Sequence, residues 1–292
     1  MENANALIHI YRDPDPAVRD TVLSLWQECR DAEGITLTPL LAGEEDAAVL
    51  TCLYGEPGRA EAVLTASEME AGVWEISAFT RPAFRRQGRF RALFARLREE
   101  TEFADAAPAP KFTDAAPVFQ FYCDGHSADA DGFAAHMGCE LLDSEHILSL
   151  SLPAAGLPRD VHMTVRETPE YKELARIHAL VFGWPIPLSR TYVRESLADP
   201  SCLGYQLFYL GKRVGCFLLT LSETTACLSG FGLYQRYRGI GLARPALAAV
   251  CACLPPEIRR LDVQVSESNE AAFHLYRSSG FADHARLDQY RI

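Results

Sequence analysis

Apolar residues between positions 72 and 100 change from a strand-like run to a helical spacing. The segment VWEISAFT, residues 73–80, is rich in the β-branched and aromatic side chains typical of strands. A cationic turn follows it, and apolar residues then recur at i, i+3, i+4 and i+7, one face of an amphipathic helix. The stripe consists of Phe90, Leu93, Phe94 and Leu97. The pattern predicts a strand, a basic turn and a helix.

The same order recurs about half a chain later, in residues 230–250. The run GFGLY precedes Arg236-Tyr237-Arg238 and Gly239-Ile240-Gly241, after which apolar residues again follow a helical spacing. Two similar units at this separation indicate a duplicated domain. The segment LSLSLPAAGLPRDVHMT, residues 148–164, is the best linker, so we predict domains at 1–155 and 156–292.

The remaining pattern predicts the same element order in both halves. In the first half we expect a helix at 17–30 and strands at 47–55, 60–70 and 73–80. In the second half we expect strands at 161–167, 202–210, 214–223, 224–234, 259–268 and 282–292, and helices at 170–183, 190–198 and from Asn269. Strands joined by tight hairpins predict an α/β (α+β) fold, with two tandem domains that each have a mixed, mainly antiparallel sheet flanked by helices.

Composition restricts the function classes. The chain has 292 residues, 48% of them hydrophobic, and a formal net charge of −11, which argues against nucleic-acid partners and anionic membranes. It contains neither a secretory signal pattern nor an apolar run near the roughly 18 residues of a membrane helix, so we expect a cytoplasmic protein. Nine cysteines without CxxC pairs and eight histidines without HExxH predict neither disulfides nor a metal site.

The glycines and arginines at the later strand-to-helix turn suggest an anion site. The first amides of a helix lack intrahelical partners, glycines allow close backbone approach, and arginines add permanently charged donors. GIGLAR lacks the last glycine of the dinucleotide fingerprint, and GxxxxGK[ST] is absent. A phosphate-bearing ligand is therefore one hypothesis, and a glycine-bearing turn with solvated arginines is the alternative.

Two motifs in the second half resemble the GNAT superfamily of acyl-CoA N-acyltransferases. One is the turn R-x-x-G-x-G, and the other is N-x-x-A-x-x-L-Y-x-x-x-G-F after the next strand. The two copies look like the tandem arrangement of mycothiol synthase and similar tandem GNAT proteins. The matching residues are Arg236, Gly239 and Gly241 for the first motif, and Asn269, Ala272, Leu275, Tyr276, Gly280 and Phe281 for the second.

The resemblance implies acetyl-CoA as cosubstrate and assigns roles around the turn. The turn would hold the pyrophosphate of coenzyme A, and the amides near the end of the preceding strand would bind the thioester carbonyl. The implied ligand residues are Phe231, Gly232, Leu233, Arg236, Tyr237, Arg238, Gly239, Ile240, Gly241 and Leu242. Tyr276 would protonate the departing thiolate, or it is a core residue. Asn269 would contact the ligand, or it caps its helix.

The first copy departs from these motifs. Aligned on its Gly138-Cys139, it has Ala134 in place of the tyrosine and Ser127 in place of the asparagine, and Phe90 replaces the third small residue of the turn. The cationic turn, Arg85, Arg86, Gln87 and Gly88, would still hold coenzyme A. Glu75 lies where such enzymes often carry a carboxylate base, with Ala226 as its counterpart in the second copy, although a strand glutamate without a role is an equal alternative.

The base in the second copy is not decided by the sequence. Glu223 and Glu267 are the carboxylates nearest to the two motifs, and a water chain or the other domain are alternatives. We expect an N-acetyltransferase that transfers acetyl from acetyl-CoA to a primary amine of a small molecule or peptide, with its chemistry in 156–292 and a degenerate copy in 1–155. The alternative is a noncatalytic acyl-CoA-binding or interaction module.

Overall fold

The computed structural model describes residues 7–12, 14–41, 49–70, 72–104, 117–127, 129–154, 156–158 and 162–292. The chain divides into two compact units, which are residues 1–144 with 285–292, and residues 145–284. The predicted single boundary at residue 155 differs from this division, because the last eight residues belong to the first unit. Residue 155 itself lies outside the described part of the chain.

The first unit contains one sheet with one helix on one face and two helices on the other. Its elements are β1 (Ile8–Tyr11), α1 (Pro16–Glu33), β2 (Val49–Tyr54), β3 (Ala62–Glu70), β4 (Val73–Thr80), α2 (Arg89–Ala104), β5 (Val118–Asp124) and α3 (Ala130–Met137), with β12 (Ala282–Arg291) paired to β5. The strand order is β1-β2-β3-β4-β5-β12, in which only the β4–β5 pair is parallel. This confirms the predicted mixed, mainly antiparallel sheet.

Local sequence signals explain the start and end of α1. The Asp15 carboxylate accepts a 2.9 Å hydrogen bond from the Val18 amide, and Pro16 is the first helical residue, where no amide donor is needed. Gly34 ends the helix with a left-handed φ of 71°. The apolar side of α1, Val18, Val22 and Leu25, packs on the sheet against Leu53 and Val63. Burial of this face fixes α1 on the sheet.

The second unit repeats the plan with two helices on one face. Its elements are the end of β6 (Glu140–Ser151), then β7 (Met163–Glu167), α4 (Tyr171–Phe182), α5 (Ile186–Ser196), β8 (Cys202–Tyr209), β9 (Lys212–Leu221), β10 (Thr225–Leu233), α6 (Ala243–Cys253), β11 (Arg260–Ser266) and α7 (Glu270–Ser278). The order β6-β11-β10-β9-β8-β7 has one parallel pair, β10–β11. The predicted helices and strands are thus confirmed, with small shifts at their ends.

Alternation along β10 determines which helix lies on which face of this sheet. Ala226 and Leu228 point into a core with Leu247 and Val250 of α6. The opposite face of the sheet carries Cys216 and Leu218 of β9, which pack against α4 and α5. The sheet is therefore covered on both faces, as its apolar strand sequences require.

Candidate active site

A gap opens in the second sheet between the parallel strands β10 and β11. Their pairing runs from Thr225 with Arg260 to Leu228 with Val263 and then stops. Beyond that point β10 stays paired with β9 as far as Leu233, and β11 stays paired with β6 as far as Ser266. Because each strand keeps its outer partner and loses its inner one, the carboxyl ends of the two strands diverge. Ligands of sheets with parallel strands bind at such ends.

The glycine turn lies at this end of β10. Gly239 and Gly241 have φ angles of 73° and 83°, and a Cβ atom at either position would meet no atom within 4 Å. The N–H groups of residues 239–244 form no hydrogen bond with any residue that the structure describes. Pro245 is the third residue of α6, in its first turn, where its missing N–H costs nothing. The turn therefore presents a row of exposed donors to an anion.

The two arginines of the turn differ in what they contact. Arg238 donates from Nε to the carbonyl oxygen of Leu233 at 2.9 Å and from Nη2 to that of Val181. It thus anchors the turn to β10 and to α4. Arg236 is exposed and lies over the rings of Tyr237 and Tyr234, at 5.0 and 5.6 Å from their centroids. Of the two, Arg236 is the cation that remains accessible to a ligand.

Backbone donors also face the gap from β10. The amide of Tyr234 donates to the carbonyl of Val214 on β9 at 2.8 Å. N–H groups alternate sides along a strand, so the amide of Leu233 points away from β9 and into the gap. A β-bulge between Ser229 and Gly232, with Gly230 at a φ of 54°, adds one residue to β10 here. This segment is the one predicted to bind the thioester carbonyl.

Tyr276 is buried in the core of the second unit, with 7% of its surface exposed. Its ring packs against Phe281 with centroids 5.3 Å apart, and burial raises the pKa of its phenol. A raised pKa keeps the phenol protonated at neutral pH, as a general acid must be. Asn269 begins the same helix and accepts a 3.3 Å hydrogen bond from the Ala272 amide. The capping interpretation of Asn269 is thus observed, whereas its contact with coenzyme A stays a prediction.

The two candidate carboxylates lie at opposite ends of the parallel strands. Glu267 directly follows β11, at the end where the strands diverge, and it is exposed. Glu223 precedes β10, and the nine residues Thr225–Leu233 separate it from the turn. At about 3.3 Å per residue, that separation is roughly 30 Å. The structure brings Glu267 to the same end as the turn and does not bring Glu223 there.

The first unit has an equivalent gap and turn. β4 and β5 stay parallel partners only from Val73 with Val118 to Ile76 with Phe121. Arg85 Nε donates to the Thr80 carbonyl at 3.1 Å, just as Arg238 Nε donates to that of Leu233, so these two arginines correspond. Counting from them, Arg86 and Gly88 correspond to Gly239 and Gly241. By the same count Phe90, which was predicted to replace the third small residue of the turn, corresponds to Ala243, and both residues lie in the helix that follows the turn.

The cations of this first turn are paired within the protein. Arg85 forms a bidentate ion pair with Glu33, in which Nη1 and Nη2 donate to the two carboxylate oxygens at 2.6 and 2.9 Å. Arg86 forms an ion pair with Asp129. Arg86 also holds a left-handed φ of 59°, where the second turn has a glycine. The turn that was predicted to hold coenzyme A with Arg85, Arg86, Gln87 and Gly88 thus has carboxylates beside its two leading cations. A phosphate would have to displace them.

The alignment of the following helices is confirmed by matching hydrogen bonds. The Cys139 amide donates to the Ala134 carbonyl at 3.0 Å, and the Phe281 amide donates to that of Tyr276 at 3.1 Å. Ala134 therefore takes the position of Tyr276. Glu75 is half-buried on β4, and burial raises the pKa of its carboxyl.

The prediction that Ala226 is the counterpart of Glu75 was wrong. Glu75 pairs with Gln120, and the counterpart of Gln120 in the second unit, Asp262, pairs with Cys227. Cys227, and not Ala226, therefore stands at the position of Glu75. Because the bulge adds one residue to β10, the offset between the two copies differs by one before and after it, so one count along the sequence cannot match both the strand and the turn.

Sequence reasoning missed a set of rings beside the gap. His178, Phe182 and Tyr192, on α4 and α5, and Trp184 between these helices contact one another next to β10. The signal was present in the sequence, since Phe182-Gly183-Trp184 interrupts the predicted helical spacing with two aromatic residues at the end of a helix.

Two further observations concern predicted absences. Among the described residues, there is no group of three or more histidine, cysteine, aspartate or glutamate side chains that could hold a metal ion. Over the same ranges, every helix is too short or too polar to span a bilayer.

Comparisons with known proteins agree with this geometry. The model of the acetyltransferase (GNAT) family matches residues 170–281. An uncharacterized N-acetyltransferase of Bacillus subtilis, YycN, is 40% identical over 62 residues, which are 21% of this chain and 40% of that protein. The chain thus matches less than half the length of this curated relative.

Two solved structures resemble the whole chain. A GCN5-related N-acetyltransferase from Sphaerobacter thermophilus superposes with a TM-score of 0.72 at 19% identity, over 98% of this chain and 95% of that one. A tandem GNAT protein from the clavulanic acid biosynthesis pathway gives 0.71 at 17% identity, over 98% of each chain. At these identities the likeness concerns the fold, which is the tandem GNAT fold. Residues 170–281, which contain the divergent strands and the exposed amide turn, are thus the part of the chain that matches the acetyltransferase (GNAT) family.

Proposed function

We propose that residues 156–292 transfer an acetyl group from acetyl-CoA to a primary amine. The observation that carries the proposal is the gap between β10 and β11, which opens beside a turn with unpaired amides at residues 239–244. These amides and Arg236 suit the pyrophosphate of coenzyme A. The thioester would then enter the gap along β10.

Direct attack is the reaction that this arrangement supports best. The neutral amine attacks the thioester carbonyl, and the amide of Leu233 stabilises the oxyanion that forms. The C–S bond then breaks, and the leaving thiolate takes a proton from the phenol of Tyr276. The attacking nitrogen loses its proton to a base. We favour Glu267 over Glu223 for this step, because Glu267 follows β11 at the end that carries the turn.

Residues 1–155 are proposed to be a degenerate copy. Ala134 takes the tyrosine position, and Glu33 and Asp129 pair with the cations of the first turn. The cytoplasmic location remains a prediction from the sequence.

The test combines detection of bound cofactor with detection of released thiol. Native mass spectrometry with acetyl-CoA, followed by a panel of amines with free-thiol detection, should show one bound molecule in the second unit and turnover with some amines. Tyr276→Phe should lower kcat by about 10²-fold or more with unchanged thermal melting, since only a hydroxyl is lost. Tyr205→Phe removes a hydroxyl from a ring stacked on Phe217 in the same sheet, and it should retain activity.

Each contrary result has a definite meaning. Bound acetyl-CoA without turnover on any amine would favour the noncatalytic module. Full kcat in Tyr276→Phe would remove Tyr276 from the mechanism and leave protonation of the thiolate to another donor.

A further inference from the structure

Four rings meet where α4 ends and α5 begins. We call His178, Phe182, Trp184 and Tyr192 the aromatic cluster. The centroid of His178 lies 4.4 Å from Phe182, 5.1 Å from Trp184 and 4.9 Å from Tyr192, and Trp184 lies 5.8 Å from Tyr192. His178 is the buried centre of the cluster, and its Nδ1 is 3.1 Å from the hydroxyl of the fully buried Ser189. The cluster is thus held in one geometry by packing and a hydrogen bond.

The cluster packs directly on the bulged segment of β10. A Cβ atom at Gly230 would lie 3.6 Å from His178 Cδ2 and 3.7 Å from Tyr192 Cε1. A Cβ atom at Gly232 would overlap Val181 and lie 3.2 Å from Phe182 Cζ. These two glycines flank Phe231, in the segment proposed to hold the thioester carbonyl. The rings therefore border the position from which an amine must approach that carbonyl.

The outer part of the cluster is open. Phe182 and Trp184 are 38% and 40% exposed, although both are large and apolar. Leu180, Ile186 and Leu188, on the same two helices, are also exposed. Leu180 further lines the open groove beside Tyr234 and Tyr237 of the turn. The exposed rings of Phe182 and Trp184, whose centroids lie 6.2 Å apart, form an apolar surface at which an apolar group can bind.

The cluster carries no charge that would select a polar amine. Within the described part of the chain, no hydrogen bond or ion pair joins any of its four rings to a carboxylate. Burial lowers the pKa of His178 to about 4, so its imidazole is neutral near pH 7. Such surroundings attract aromatic and aliphatic groups, and they disfavour the charged form of a bound amine, which must be neutral to attack.

We propose that the acceptor is a primary amine carried on an aromatic or bulky apolar group, which packs against Phe182, Trp184 and Tyr192 while its nitrogen faces the segment around Phe231. This inference rests on the proposed acetyltransferase function and adds the class of its acceptor. Burying one ring contributes about 1.5–3 kcal/mol, which corresponds to at least about a tenfold gain in kcat/KM.

The test compares amines of similar basicity that differ in their apolar group. Phenethylamine and tryptamine should be acetylated with kcat/KM at least about tenfold above that of ethanolamine or propylamine. Trp184→Ala should bring this ratio close to one, and Trp184→Phe, which keeps a ring, should preserve most of it. Leu210→Ala is the matched control, because Leu210 is 64% exposed at the β8–β9 turn, outside the cluster. It should leave the ratio unchanged.

A binding measurement separates failure of this inference from failure of the proposed function. Phenethylamine is titrated calorimetrically into protein saturated with coenzyme A, with and without Trp184→Ala. Binding that depends on Trp184 without any turnover would support the aromatic site and overturn the acetyltransferase proposal. Turnover with equal kcat/KM for all four amines, or a ratio that Trp184→Ala does not change, would overturn the aromatic acceptor and leave the acetyltransferase intact.

Discussion

The glycines of the second turn are required by their left-handed backbone conformation and not by close contacts with neighbouring atoms. Gly239 and Gly241 have positive φ angles in open space, so a side chain at either position would clash with no protein atom. A residue other than glycine pays about 1–2 kcal/mol for that conformation, a cost that Arg86 bears in the first turn. Open space beside exposed amides is what a ligand needs for close approach.

Gly241→Val should therefore weaken binding of coenzyme A. The valine adds bulk where the pyrophosphate is proposed to lie and strains the turn, so the Kd should rise at least about tenfold, as for the loss of one charged hydrogen bond. Calorimetric titration of the folded variant measures this. Gly88→Val is the matched control, since Gly88 holds a φ of 78° in the corresponding open turn of the first unit. Equal effects of both variants on turnover would contradict a catalytic second unit and a degenerate first one.

The motif residues of the second copy could be predicted from the sequence, and their correspondence with the first copy could not. The asparagine, tyrosine and glycine spacing was correct because it lies within one helix and its cap. The glycines alone do not align the two turns, because Arg86 stands where the second copy has Gly239. In the folded chain, an arginine that bonds to the end of the strand sets the correspondence, and a left-handed Arg86 hides it.

At the scale of elements, close contact between β9 and β10 shapes the strand that borders the gap. A Cβ atom at Gly215 would overlap the carbonyl oxygen of Gly232, and one at Gly232 would overlap Val181 on α4. Small residues are thus required where the bulged strand meets its neighbour and its covering helix. Hydrophobic periodicity located β9 and β10 correctly, but it contains no information about a bulge, which depends on pairing across strands.

Gly215→Ala should destabilise the second unit and displace the bulge. The methyl group meets backbone, which cannot rotate away, so the loss in free energy of unfolding should be about 2 kcal/mol or more. Urea denaturation monitored by circular dichroism measures it. Gly156→Ala in the same unit adds a methyl group whose nearest contact would be at 3.9 Å, and it should change stability by less than about 0.5 kcal/mol. Equal effects would show that the contact with Gly232 is relieved elsewhere.

At the scale of the whole molecule, the first unit is completed by a strand from the far end of the chain, whereas the second unit is continuous in sequence. The first unit takes residues 285–292, where Leu287–Arg291 pair with β5 and Tyr290 stacks on Phe121 at 5.7 Å. The second unit begins with residues 145–151, which pair with β11. The order of strands along the sequence was predictable. The pairing of the last strand with the first unit was not, because the pairing partner of a strand at a domain end is not encoded locally.

Removal of residues 285–292 should destabilise the first unit selectively. It would leave β5 without its antiparallel partner and uncover Phe121, so limited proteolysis should cut first within residues 7–144. Coenzyme A binding in the second unit should change less than about threefold, since the turn and both strands at its gap remain. A synthetic peptide of residues 282–292 should restore part of the protection. First cleavage within residues 145–284 would mean that the strand supports the other unit instead.

The C-terminal strand, residues 285–292, also determines when the first unit can fold during biosynthesis. A ribosome makes residues 1–144 first, yet the sheet of that unit stays open along β5 until residues 285–292 have been synthesised. Domains ordinarily fold as they leave the ribosome, the N-terminal one first. In this chain the first unit cannot complete its sheet until residues 285–292 have been synthesised, and the unpaired edge of β5 needs protection until then. Both halves are thereby completed together, so translation that stops early yields no finished first domain.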